Sequence, residues 1–123
     1  MAKHNNTGKW GEELACETYR SKGYTVIERN WRSGHYEIDI IAIKGSRIIF
    51  AEVKARSENS VDPLEAIDSK KIARLTRAAD AYIQSHGIKQ DAQFDVFSIT
   101  GTPDNYKIEH IEDAIFPPLR TYR

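Results

Sequence analysis

Apolar residues recur along this chain with two different spacings, and the switches between them lay out its elements. From Gly8 to Lys22 the spacing is helical: Trp10, Leu14 and Thr18 share a face with Ala15 and Tyr19 beside them, and Gly23 stands where a helix end needs positive φ. Tyr24 to Trp31 is rich in β-branched and aromatic residues and predicts a strand. Glu37 to Ile43 and Arg47 to Lys54 predict two more, joined by a tight turn at Gly45-Ser46. These two are apolar on both faces, the pattern of a sheet interior covered on each side. Arg56 to Asp62 reads as a polar loop. Helical spacing returns from Ser69 to His86, where Ile72, Leu75, Ala79, Tyr82 and Ile83 form a stripe that Gly87 ends. Gln93 to Thr100 and Tyr106 to Ile111 are two further strands around a Gly-Thr-Pro-Asp-Asn turn, and Pro117-Pro118 begins an extended tail. The order α-β-β-β-α-β-β predicts an α/β fold, a mixed β-sheet flanked by helices, with the second helix crossing between strands.

Composition narrows this picture. A chain of 123 residues without repeats or linkers is expected to form one domain. The single cysteine, Cys16, cannot form an internal bridge, and no apolar run reaches bilayer length, so a cytoplasmic protein away from membranes is expected. The start, Met1 to Lys9, lacks the apolar run of a secretory signal. Eighteen basic and eighteen acidic residues cancel, which argues against a histone-like, purely electrostatic nucleic-acid binder. The charges are uneven, however: Asp91 to Asp113 holds six acids and one base, whereas the chain before it holds fifteen bases and twelve acids. A basic face with a separate acidic segment is compatible with that distribution.

The candidate chemistry comes from register. If Gly45-Ser46 is a two-residue loop, Lys44 faces Arg47, and counting outward puts Asp39 opposite Glu52 on one face, with Lys54 on that face opposite Glu37. Two carboxylates ~5 Å apart would repel by about 3 kcal/mol at an effective dielectric of 20. A shared proton, Lys54 or a bound cation would relieve them. Asp39, Glu52 and the backbone carbonyl of Val53 offer the oxygen ligands a hard divalent ion takes, and Lys54 could hold or activate water beside it. That set suits metal-assisted phosphodiester hydrolysis. The competing reading is a solvated Glu-x-Lys alternation with a Glu37–Lys54 ion pair.

Lys70, Arg74 and Arg77 recur at helical spacing with Lys71 adjacent, forming a basic stripe for a nucleic-acid backbone or an ordinary solvated face. Arg29, Arg32 and Arg56 would extend it if they share its side. The histidines and the cysteine have no zinc spacing. His35 lies close in sequence to the acidic pair, and Trp10, Trp31 and Tyr82 are candidates for base stacking or core.

Gly8-Lys9-Trp10-Gly11-Glu12-Glu13-Leu14-Ala15, Gly23-Tyr24, Asn30-Trp31-Arg32, Glu37-Ile38-Asp39-Ile40-Ile41, Phe50 to Arg56 and Phe94-Asp95-Val96 occur in the order found in the YraN-like family of small uncharacterised bacterial proteins, which the chain resembles. That family is similar in fold to archaeal Holliday-junction resolvases and the PD-(D/E)XK endonuclease superfamily. The resemblance implies one such nuclease-like domain over residues 1–123, a Mg²⁺ or Mn²⁺ site on Asp39 and Glu52, Lys54 as catalytic lysine, Glu12 as a further ligand or water-holder, and Lys71 facing substrate phosphate. Tyr36 stands where the family commonly has glycine. The expectation is thus a divalent-metal-dependent endonuclease selective for branched or junction DNA, with RNA as a second candidate substrate and a homodimer by analogy with resolvases. A non-catalytic nucleic-acid-binding module and a protein-interaction domain are the alternatives.

Overall fold

The computed structural model describes residues 2–56 and 69–114, with side chains from residue 9 in the first stretch and from residue 70 in the second. The elements follow the expected order: α1 (Ala2–Ser21), β1 (Thr25–Ser33), β2 (Tyr36–Lys44), β3 (Arg47–Arg56), α2 (Ser69–His86), β4 (Asp91–Thr102) and β5 (Asn105–Ile111). The bounds of α2 are those its apolar stripe predicts. By contrast, α1 begins at Ala2 rather than Gly8, and the strands run past their last apolar residues because backbone pairing continues there. Arg56, expected in a loop, closes β3. The rest of that loop and the Pro117-Pro118 tail lie outside the described residues.

The strands form one sheet in chain order, β1-β2-β3-β4-β5. Only β3 and β4 pair in parallel. A parallel step demands a crossover, and α2 lies between those two strands in the chain. The β1–β2 and β2–β3 hairpins each close on two residues, Gly34-His35 and Gly45-Ser46. The glycine comes first in both, at φ 61° and 59°, a conformation that lets a short turn follow the twist of the strands.

Because β2 and β3 are apolar on both sides, each face of the sheet carries a core. Ile40, Ala42, Ile49, Ala51 and Phe97 pack beneath Ala15, Cys16 and Tyr19 of α1. On the other face, Ile38, Ile41, Ile48, Phe50, Phe94 and Val96 pack beneath Leu75, Ala78, Ala79 and Tyr82 of α2. Each fully buried isoleucine or phenylalanine contributes about 1.5–3 kcal/mol, so the β2–β3 pair is the best-anchored part of the sheet. Trp31 and Tyr82 meet edge-on within the α2 core, at 5.2 Å between ring centroids. At the start of the described α1 side chains, a Cβ on Gly11 would lie 3.1 Å from Cβ of Ala55. Glycine therefore lets α1 approach the end of β3 more closely than another residue would.

Candidate functional site

The expected hairpin register holds through five pairs, from Lys44↔Arg47 to Ile40↔Ala51. The next step would pair Asp39 with Glu52, and there the ladder gives way to a side chain. Asp39 Oδ2 accepts the backbone N–H of Val53 at 2.8 Å. The same place is marked from the core: Ile38 packs under α2 and Ile40 under α1, although residues two apart on a regular strand share a face. On neighbouring β1, Asn30 adopts φ 52°, a conformation rare outside glycine. Asp39 thus sits where β2 leaves strict alternation, and its carboxylate satisfies a β3 donor that strand pairing would otherwise take.

Asp39 opens into a polar pocket of about 200 Å³ lined also by His35, Tyr36, Glu37, Glu52, Lys71, Arg74 and Leu75. Among the described residues, the β1–β2 turn, β2, β3 and the first turns of α2 build it. Burial, and then the charge of Glu52, push the Asp39 carboxyl up to about 7 from its ordinary 3.8. The hydrogen bond from Val53 works in the opposite direction but is outweighed. The charge of Glu52 is thus the second cause that raises Asp39, after burial.

Glu52 Oε2 accepts a hydrogen bond from Lys71 Nζ at 2.9 Å and has Lys54 Nζ 3.9 Å away. Glu37 pairs with Arg32 at 3.7 Å, so the Glu37–Lys54 pair of the competing reading gives way to Lys54 beside Glu52. The two lysines also act on each other's charge and differ in character. Burial, then the hydrogen bond and charge of Lys71, hold Lys54 below an ordinary lysine. Burial opposes the charge of Lys71 too, but its bonds to Lys54 and Glu52 outweigh that and hold its ammonium above the usual value. Lys54 is consequently the more readily deprotonated of the two and Lys71 the more firmly protonated.

The remaining expected residues divide between the two faces. Glu12, on α1, is held by Asn30 Nδ2 at 2.9 Å and reaches Asp39 only as a smaller electrostatic influence. Among the described residues, no three His, Cys, Asp or Glu side chains are grouped to hold a metal ion. The expected three-carboxylate set of Asp39, Glu52 and Glu12 is therefore not preassembled, because α1 and α2 cover opposite faces of the sheet. Asp39 and Glu52, in a polar pocket that Glu37 also lines, still fit a hard divalent ion, which commonly keeps several waters. Val53 turns its side chain into the α1 core. Lys70, Arg74 and Arg77 share a shallow depression with Ala73, and Arg74 lines both this depression and the acidic pocket. Lys71 does not run with that stripe but turns into the pocket. Arg56 ends β3 opposite Thr100. Arg29 binds Glu13 of α1 at 3.0 Å and does not extend the stripe. His35, exposed at its turn, does line the pocket.

Pattern reading missed one polar cluster entirely. Asp95 on β4 is fully buried and accepts hydrogen bonds from Tyr19 Oη (2.7 Å), His110 Nε2 (2.8 Å), Gln93 Nε2 (2.9 Å) and the backbone N–H of Asp113 (2.9 Å). Lys22 Nζ lies 2.8 Å from His110 Nδ1. An ammonium only donates, so Nδ1 accepts and the Nε2 proton points at Asp95. Burial alone would raise the Asp95 carboxyl, but its hydrogen bonds from His110, Asp113, Gln93 and Tyr19 hold it below the usual range. An Asp between Phe94 and Val96 was the available signal, but its partners other than Gln93 lie 15 to 76 residues away in sequence.

With the geometry described, comparison with known proteins adds a family. The sequence profile described as "Uncharacterised protein family UPF0102" matches residues 11–99. A UPF0102 protein of Bacteroides thetaiotaomicron is 43% identical over 120 residues, covering 97% of this chain and 99% of its own. One from Parabacteroides distasonis is 41% identical over 121 residues, covering 98% and 100%. One from Chlorobium chlorochromatii is 40% identical over 116 residues, covering 89% and 90%. The matched span contains Asp39, Glu52, Lys54 and Lys71.

Proposed function

Since the chain belongs to the uncharacterised protein family UPF0102, the YraN family its motifs resemble, we propose that it is a divalent-metal-dependent endonuclease of the PD-(D/E)XK type, acting on branched or junction DNA. The observation that carries this reading is the meeting of Asp39 and Glu52 in one polar pocket at a cost in repulsion that a cation would remove. A purely structural site would be expected to hold an apolar pair there.

In this reading Asp39, Glu52 and the Val53 carbonyl would hold Mg²⁺ or Mn²⁺. When bound, the ion supplies Lewis-acid polarisation of a phosphodiester and acidifies water. The Val53 N–H keeps Asp39 aimed across the β2–β3 opening. Lys54, whose lowered pKa makes its neutral amine easier to reach, would accept the proton of the attacking water in that form or, as the ammonium, stabilise the negative charge that develops on the phosphoryl oxygens. Arg74, shared between the pocket and the depression lined by Lys70 and Arg77, leads the nucleic-acid backbone to the acids. Glu12 contributes from the α1 side by holding Asn30 and, through it, the irregular stretch of β1 beside the site. The preference for branched DNA rests on the resemblance to junction resolvases.

The test is cleavage of end-labelled linear, flapped, four-way and single-stranded DNA in Mg²⁺ and in Mn²⁺, with wild type and Asp39→Ala purified in parallel. Cutting by wild type alone is the expected result and names the substrate class. Cutting by both proteins would come from a contaminant. Cutting by neither, with DNA still bound, would replace the enzyme with a binding module on the same fold.

A further inference from the structure

Glu52 already has a cation at its carboxylate, and that cation belongs to the chain. Lys71 Nζ donates to Glu52 Oε2 at 2.9 Å, inside the pocket that Asp39 also lines. Lys71 stands in the first turn of α2, which starts at Ser69. The helix docks through Leu75, Ala78, Ala79 and Tyr82, so its core packing delivers the ammonium to the acid. Asp39 has a different kind of partner, the neutral N–H of Val53. The two carboxylates are therefore unequal: Glu52 accepts from an ammonium and Asp39 from a neutral backbone N–H.

A lysine placed this way has three available roles. It could be a strut that pins the start of α2 to β3. It could be a phosphate ligand, as the sequence resemblance implies. Or it could be a counter-ion whose place a stronger cation takes. The geometry distinguishes them in part. A phosphate ligand is best placed with its donors turned toward the bound strand, as on the Arg74–Arg77 side of α2, but Lys71 donates to an acid instead. A strut needs no second acid, yet Asp39 lies in the same pocket and its charge acts on Lys71. The acid that Lys71 holds is also one of the two that would hold a divalent ion.

We propose that Lys71 is a tethered counter-ion that competes with the divalent cation for Glu52, setting how tightly this site loads. The inference rests on the metal reading of Asp39 and Glu52 given above. A dication arriving between the two acids meets the Lys71 ammonium at close range, and the repulsion between them subtracts from its binding. Loading requires the ammonium to leave Glu52 Oε2. A long, flexible side chain can do this without moving the helix. Affinity for the ion is accordingly weaker than two carboxylates alone would provide.

Mn²⁺ binding to the whole, DNA-free protein, measured by calorimetry and by the loss of the free-ion spin-resonance signal, tests this without relying on activity. The proteins are wild type, Lys71→Met, Lys71→Gln, Glu52→Gln and, as a charge control on an exposed loop, Lys89→Met. Thermal unfolding of each confirms folding, and the glutamine variant retains a neutral donor in case methionine weakens the packing of α2. The expected result is Mn²⁺ binding at least ten-fold tighter in both Lys71 variants, within two-fold of wild type in Lys89→Met, and lost in Glu52→Gln. Lys71 variants that bind Mn²⁺ equally or more weakly, while Glu52→Gln still abolishes binding, overturn the competition and leave the metal site standing. Absence of any Glu52-dependent Mn²⁺ binding across the whole set overturns the metal reading, and this inference with it.

Discussion

Asp39 Oδ2 accepts the backbone N–H of Val53 at 2.8 Å, one step beyond the last regular β2–β3 pair, Ile40↔Ala51. The carboxylate thus replaces a rung of the ladder. This placement faces the acid toward Glu52 in a pocket open to water, while the apolar pairs behind it hold both strands still.

The repulsion at this site has a pH signature. Asp39 is raised to about 7 in the folded chain from an ordinary 3.8, by burial first and Glu52 second. A carboxyl raised on folding binds its proton better in the native state. Its stabilising contribution is full below the ordinary value and is lost as pH rises through about 7. In urea unfolding with chelator present, wild type should lose up to roughly 4 kcal/mol more than Asp39→Asn between about pH 4 and 8. The asparagine carbonyl can still accept from Val53, so the comparison isolates the charge. Parallel pH profiles for the two proteins would refute the coupling.

Lys54→Ala should separate proton transfer from ion binding. On the substrate that wild type cuts best, the single-turnover rate should fall by about 100-fold, the size of a lost acid–base group. Mn²⁺ affinity should stay within a few-fold, since Lys54 stands 3.9 Å from Glu52 and the closer cation there is Lys71. Loss of Mn²⁺ binding in this variant would make Lys54 a structural partner of the acids.

Neutralising Lys70, Arg74 and Arg77 together should weaken DNA binding without regard to sequence. The plot of log affinity against log salt should flatten by about 2–3 units, the slope expected for three phosphate contacts. Lys70 and Arg74 are exposed beside the shared depression, so stability should change by less than about 1 kcal/mol. An unchanged salt slope would remove this stripe from the interface.

The Asp95 cluster should matter for folding and not for the pocket. Tyr19→Phe removes one bond to a buried carboxylate and should cost about 1.5–3 kcal/mol. Asp95→Ala orphans several donors and should cost about 3–5 kcal/mol. Asp95 is held below the usual carboxylate range, so its contribution is present above that range and lost as pH falls through its folded value, opposite in sign to Asp39. Urea unfolding measures each cost, and Mn²⁺ titration of the folded variants should match wild type. A shift in Mn²⁺ affinity would connect the two faces of the sheet.

What the sequence could determine was whatever neighbouring residues decide among themselves. The bounds of α2 follow from its own apolar stripe and Gly87. The β2–β3 register follows from the two-residue turn at Gly45-Ser46, so the placing of Asp39, Glu52 and Lys54 together was legible in the sequence. Family membership was legible for the same reason, in short motifs kept in order.

The tertiary structure decided contacts between elements that share no turn. Lys71 and Arg74 are adjacent on a helical wheel, yet the docking of α2 on Ile38, Ile41 and Phe50 sends Lys71 to Glu52 and leaves Arg74 on the rim. Glu12 is held on Asn30 because α1 covers the opposite face, where Gly11 meets Ala55. Asp95 finds Tyr19 from 76 residues away. A helix carries its own periodicity, but the angle at which it turns that pattern toward the sheet is set by which apolar surfaces fit. A buried carboxylate likewise takes its partners from whichever elements close over it.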